Sequence, residues 1–424
     1  MKNIYFYKGK ENILNGTDEN EELEIIKDDL SKVFDTKSLS FLLGSGCSSF
    51  YDNNKEIGIP TMKPMANEFF DTTKGSLSLT VDEVKYIKND LCINIDDDSF
   101  RNNMERFLEV LYSLNFYLSK TNFPLGTVLS TNIHYQHIDA DQKKLPELIK
   151  KTRHFILRKC LNEKSKSKDE KLILLYESFY RKLLYRNPNL PKPNIFTTNY
   201  DLYSEKALDN IGILYTNGFS GGINKYFNPT IFNYAFAERM DLSQSKWNII
   251  DNFIYLYKIH GSVNWIEDDS TMNKLFKIRE IQDVSFDSLK DKETIMIYPS
   301  PTKQNASLGS PYSDLFREFQ KKLMQNNNVL ITMGYSFSDE HINNLIYQAF
   351  TIPSFRLISF VEKNDNINKL ISLDDPRIWI IGGEMADKSN LHYFNQIVNK
   401  LFPDLSNDEI DEKIETIIKT LSKQ

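Results

Sequence analysis

Four short stretches of the chain carry residue types whose spacing could do chemistry. The first is Gly44-Ser45-Gly46-Cys47-Ser48-Ser49. Two glycines let a backbone turn sharply and approach a ligand with no Cβ in the way. Backbone N–H groups there, with the Ser45 and Ser48 hydroxyls, suit a diphosphate. The third glycine of a full G-x-G-x-x-G fingerprint is missing, and a strand-to-helix turn without a ligand would use the same residues. The second is Phe196-Thr197-Thr198-Asn199-Tyr200-Asp201. Its short polar side chains could reach one cavity, or they could cap a helix. The third is Lys258-Ile259-His260-Gly261-Ser262-Val263-Asn264-Trp265. A neutral imidazole at a strand end can take a proton near pH 7, although a lone histidine is often structural. The fourth, Met333-Gly334-Tyr335-Ser336-Phe337-Ser338-Asp339-Glu340, reads as strand, turn and helix start. Ser338 would cap that helix, with Asp339 and Glu340 favouring its N-terminus. Gly334 and Ser336 could hold a ribose or phosphate from a second side.

Each stretch ends a short apolar run that reads as a buried strand: Leu39–Leu43, Asn194–Thr197, Ile254–Ile259 and Val329–Met333. Thr294–Tyr298, Leu357–Val361 and Ile378–Ile381 read the same way. Apolar strands alternating with helical stretches predict an α/β fold, a Rossmann-like parallel sheet with helices on both faces. Ligands bind such sheets beyond the carboxyl ends of their strands. Residues 62–190 have another texture. Met104, Phe107, Leu108, Leu111 and Leu114 recur at helical spacing, as do Leu172, Leu175, Tyr176, Phe179, Tyr180 and Leu183.

The predicted organisation is therefore 1–61 for the N-terminal piece with the first strand and its loop, 62–190 for a large helical insertion, 191–385 for the rest of the sheet domain, and 386–424 for a helical tail. In that tail Ile410, Ile414, Ile417, Ile418 and Leu421 form one stripe of an amphipathic C-terminal helix, which packs on its own domain or makes a subunit contact.

Composition narrows the function classes. The chain has 424 residues, 40% hydrophobic and 26% charged, an ordinary globular profile for two to three domains. A net charge of −6 argues against gripping nucleic acid through the bulk surface, although Lys143–Arg158 is a local basic strip. Three separated cysteines, Cys47, Cys92 and Cys160, make neither a disulfide framework nor a four-cysteine zinc module. No signal peptide or membrane-spanning apolar run is read, so a cytoplasmic location and no membrane partner are expected. No clustered carboxylates indicate a metal nuclease.

In this order the four stretches, with Gly58-Ile59-Pro60-Thr61 after the first, resemble the sirtuin-like NADase domains of bacterial anti-phage defence proteins. The resemblance covers 40–61 and 191–385. It implies that Asn199 orients water or substrate beside the reacting ribose carbon and that His260 is the catalytic histidine. It places Asp201 and Thr198 in the same pocket, and Gly44, Ser45, Gly46, Cys47 and Ser48 around the NAD+ diphosphate. Gly334, Tyr335 and Ser336 would meet the adenosine side. No metal residue is assigned and no zinc is expected. Two departures from protein-deacetylating sirtuins, the missing zinc module and Thr61-Met62-Lys63 in place of Asp-Phe-Arg, favour hydrolysis of NAD+ to nicotinamide and ADP-ribose. The resemblance also implies a homo-oligomer and a HerA-type hexameric ATPase partner. Two other readings stand beside it: a non-catalytic NAD or ADP-ribose sensor or scaffold, and a protein deacylase or ADP-ribosyltransferase. Gly218–Gly222 and Ser300–Ser310 are candidate loops for restraining the pocket.

Overall fold

A computed structural model describes residues 4–14, 18–52, 55–120, 136–162, 166–184, 186–187, 190–237, 250, 253–268, 277–292, 294–296 and 309–403. Its centre is a sheet in which seven strands run parallel. Their spatial order is Ile378–Gly382, Arg356–Phe360, Asn328–Met333, Ser38–Leu43, Asn194–Thr197, Phe253–Lys258 and Leu214–Thr216. Tyr5–Lys8 adds antiparallel beside Ile378–Gly382, with Glu11–Asn12 outside it. Ser38–Leu43 is the first parallel strand in the chain. Its neighbours come from later segments on either side, so the strand order reverses there. A crevice opens at such a switch point.

Period-two alternation buries both faces of this sheet. From Ser38–Leu43, Leu39, Phe41 and Leu43 point into one core while Leu42 points into the other. Asn328–Met333 divides in the same way, with Val329, Ile331 and Met333 on one side and Leu330 on the other. The first core is covered by helices Glu19–Phe34, Lys166–Leu184 and Tyr203–Asn210. The second is covered by Tyr312–Leu323, Glu340–Ala349 and Asp365–Ser372. This is the Rossmann-like arrangement that the sequence predicts.

A second lobe stands over the carboxyl edge of the sheet. Helices Met62–Phe70, Met104–Lys120 and Gln136–Leu161 bring Met65, Phe69, Phe107, Leu111 and Phe155 into a third core. Its other side is a five-stranded antiparallel sheet, of which Val263, Ile266 and Met296 are part. The Thr294–Tyr298 run, expected in the parallel sheet, contributes Thr294–Met296 here and pairs antiparallel with Gly261–Glu267. The chain turns directly after His260. Gly261 (φ +89°) lies so close to the Ile295 carbonyl that a Cβ would sit 2.1 Å from that oxygen. The run pairs there because the chain leaves the parallel sheet after Lys258 and enters the antiparallel one through Gly261–Glu267.

The 62–190 segment divides between two cores. Its last helix, Lys166–Leu184, places Leu172, Leu175, Tyr176, Phe179, Tyr180 and Leu183 on the parallel sheet beside Phe41 and Ile195. Leu391, Phe394, Ile397, Val398, Leu401 and Phe402, from the segment read as a tail, join that same core. The amphipathic stripe Ile410–Leu421 lies outside the described residues. Among the described residues no helix is long and apolar enough to cross a membrane.

Candidate functional site

The four stretches converge at the reversal of strand order. Leu43 and Met333 end adjacent strands in register, and the turns that follow press against each other. The Gly44 N–H donates to the Met333 carbonyl at 2.8 Å, and the Gly46 N–H to the Gly334 carbonyl at 3.0 Å. A Cβ on Gly44 would lie 2.3 Å from the Gly334 oxygen, and one on Gly334 (φ +62°) 2.5 Å from the Cys47 nitrogen. The glycines are thus required by turn-to-turn packing. The expectation that this loop offers a row of open N–H groups needs correction. The N–H groups of Gly44, Gly46, Cys47 and Ser48 are all bonded within the two turns, to Met333, Gly334, Gly44 and Ser45 carbonyls. Cys47 is fully buried, its thiol donating to the Met333 carbonyl, and burial pushes its pKa up.

The second stretch builds a fixed polar network. Thr197 Oγ1 donates to the Leu43 carbonyl at 3.0 Å and accepts from the Asn199 N–H at 3.0 Å. Asn199 Nδ2 donates to the Gly44 carbonyl at 2.9 Å and to Ser48 Oγ at 2.8 Å. A carbonyl only accepts, so the amide orientation is determined and Oδ1 is the group left to face a ligand. Ser48 Oγ donates to Asp201 Oδ2 at 2.5 Å, and Asp201 Oδ1 accepts from the Tyr203 N–H at 3.1 Å.

Beneath this network lies Lys258, 1% exposed although it ends an apolar strand. Its ammonium donates to the Asp201 carbonyl and pairs with Glu205 Oε1 at 2.9 Å. Burial pushes the Glu205 carboxyl upward and the nearby ammonium opposes that shift. The pair is placed to hold the Tyr200–Asp201 backbone.

His260 Nε2 stands 3.3 Å from Asp339 Oδ2, with both side chains mostly buried, but the contact lacks hydrogen-bond geometry. Asp339 Oδ1 accepts from the His341 and Ile342 N–H groups, so Asp339 caps Glu340–Ala349 in place of the expected Ser338. One carboxylate therefore fixes a helix start and faces the histidine. The preceding loop is held in an unusual form. Phe337 has φ +58° yet is fully buried. Its carbonyl accepts from Asn343 Nδ2 at 2.9 Å and Asn366 Nδ2 at 3.0 Å, which holds a backbone conformation costly for a bulky side chain. Tyr335 donates to Asn343 Oδ1 at 2.8 Å.

Ser45, Ser48, Thr198, Asn199, Asp201, His260, Gly334, Tyr335 and Ser336 line one cleft of about 860 Å³, its open mouth included. Gly44, Gly46 and Cys47 lie behind its wall. The hairpin Ser49–Asp52 to Lys55–Gly58 folds back so that the Ile59 N–H reaches the Ser48 carbonyl, which brings Ile59, Pro60 and Thr61 to the rim. The opposite wall belongs to the second lobe: Met62, Met65, Asn103, Glu105 and Cys160. Burial pushes the Cys160 thiol upward. Sequence reasoning missed this wall, whose residues share no local motif. It also missed Lys258 and read Asp339 only as a charge that favours a helix N-terminus. A lysine ending the apolar run Phe253–Lys258 was the available signal for the first. Gly218–Gly222 contains Phe219–Ser220, an edge strand of the small sheet, and is not part of the cleft lining. Residues 300–308 lie outside the described residues.

The sequence profile of the SIR2-like domain matches residues 193–377. This span holds Thr198, Asn199, Asp201, His260 and the Gly334–Asp339 turn. SIR2-like domains in general bind NAD+ and carry out NAD-dependent chemistry. A search of curated proteins finds no match to the chain.

Proposed function

We propose that the chain is an NAD+ glycohydrolase, releasing nicotinamide and ADP-ribose as an NAD-depleting effector in anti-phage defence. One observation carries the reading. Asn199, its amide pinned by two acceptors, and His260, faced by a carboxylate, line the same cleft at the switch point. The residues fit NAD+. Hydroxyls of Ser45 and Thr198 line the cleft for phosphate and ribose, and Ser336, whose hydroxyl donates to Ser338 Oγ at 3.1 Å, lines it beside them. Carboxylates of Asp201, Asp339 and Glu105 line the cleft with no lysine or arginine among the lining residues, which suits the cationic nicotinamide ring. When the bond to ribose breaks, positive charge moves from that ring towards the sugar, as in glycoside hydrolysis. The same carboxylates therefore keep a cation near them, and no general acid is needed for a leaving group that departs neutral.

In this reading Asn199 Oδ1 positions the attacking water and His260 takes its proton. Asp339 stabilises the imidazolium that forms, as a carboxylate does for a catalytic histidine. Ser48 and Asp201 keep the asparagine in one orientation. Restraint of the resting protein would come from homo-oligomeric packing or from the ATPase partner that the resemblance implies.

The test is nicotinamide release from NAD+ by the purified chain, alone and with nucleotide and DNA, against Asn199→Ala. Equal amounts of nicotinamide and ADP-ribose, lost in the variant, support the reading. Tight NAD+ binding without product under every condition overturns it in favour of a sensor. Nicotinamide released equally by the variant removes Asn199 from the mechanism.

A further inference from the structure

The basic strip that the sequence shows within Lys143–Arg158 finds no use in the cleft above. The helix Gln136–Leu161 sorts its cations in two directions. Lys151 pairs with Glu83 at 2.5 Å and Lys159 with Glu68 at 2.6 Å, each tying the helix to a neighbour inside its lobe. Lys150 and Arg153 instead turn to a separate cleft, shared with the turn after helix Phe286–Leu289. That turn adds Lys290 and Lys292, and Asp291 is the one carboxylate in the lining.

The cleft is fixed in shape. His154 Nε2 lies 2.8 Å from the Lys290 carbonyl, and the Arg158 guanidinium sits 3.6 Å from the centre of the Phe286 ring. These contacts bind the turn to the helix. Ile149, Leu157 and Leu289 form an apolar floor, and Tyr112 stands in the wall. The pairs Lys150–Asp291 at 3.2 Å and Lys290–Asp287 at 2.9 Å are largely exposed. Such pairs hold weakly and give way to a stronger anion. In a chain of net charge −6, four cations against two carboxylates, Asp291 in the lining and Asp287 beside Lys290, concentrate the opposite sign in one place.

We propose that this cleft binds a phosphate chain through Lys150, Arg153, Lys290 and Lys292, at a site separate from the candidate NAD+ cleft. The ligand class is a polyphosphate or phosphodiester: several linked anionic phosphates, which four cations can meet together where a single phosphate cannot. The proposal stands whether or not the chain hydrolyses NAD+.

The test uses the full chain and three probes: inorganic tripolyphosphate, ATP and a labelled 12-mer of thymidylate. Binding is measured from low to physiological salt against Lys150→Gln/Lys292→Gln, two exposed positions whose change leaves the fold intact by thermal unfolding. Wild-type binding weakened about tenfold in the variant supports the site. Each lost contact should also lower the salt dependence on the 12-mer by about 0.7 in log–log slope. Support from tripolyphosphate and ATP alone assigns a free nucleotide. Support from the 12-mer with the steeper slope assigns nucleic acid. No binding of any probe, or equal binding by variant and wild type, overturns the proposal.

Discussion

The two walls of the candidate NAD+ cleft are built by different rules. The sheet-edge wall is a chain of short hydrogen bonds, in which Leu43, Gly44, Ser48, Asn199 and Asp201 each have a defined partner. The lobe wall is mostly side chains of a helical core, with Met62, Met65 and Cys160 presenting apolar or sulfur-bearing surface. The first wall can hold one polar atom in one place. The second can exclude water and shape the mouth, because apolar packing is adaptable where a hydrogen-bonded network is not. Catalytic orientation should therefore reside in the sheet edge and substrate fit in the lobe.

The sharpest way to break that division is His260→Ala. Losing a general base should cut nicotinamide release about 10²–10⁴-fold while leaving NAD+ binding by calorimetry nearly unchanged. A variant that turns over like the wild type would end the assignment of chemistry to the sheet edge. Next comes the support under that wall. Lys258→Met strands Glu205 in the interior and should cost about 3–5 kcal/mol in chemical denaturation. Adding Glu205→Leu should restore most of that loss, since replacing a buried pair by apolar residues is often neutral. If stability returns and turnover does not, Lys258 positions the Tyr200–Asp201 backbone. If both return, its role is structural only. The smallest effect is expected across the cleft. Met65→Ala should raise KM a few-fold with kcat held, and a fall in kcat alone would show that the lobe shares in the chemistry.

This division also explains what could be read in the chain. The parallel sheet was legible because continuous apolar runs leave few other folds open, and the strand ends at Leu43, Thr197, Lys258 and Met333 locate the site. Asn199 and His260 were legible as residues of the cleft lining because each lies two residues beyond such an end. Glu105 and Cys160 were not, since their place in the wall depends on how separate helices pack, a relation that no local spacing encodes. The helix Lys166–Leu184 illustrates the same limit. Its apolar stripe is plain in the sequence, but nothing local says that it faces Phe41 and not Phe155. The role of the glycines was legible in kind and misread in object, for their partner is another turn of the same chain.

That clasp between Gly44, Gly46 and Gly334 bears on how a ligand is received. With no side chain between them and each turn bonded to the other, the two loops form a single plate. Ser45 on one loop and Ser336 on the other keep a separation set before any ligand arrives. The ordering entropy of that half of the site is thus spent in folding and not in binding. A ligand that bridges the two hydroxyls meets a preorganised seat, and adjustment to its shape falls to the lobe opposite.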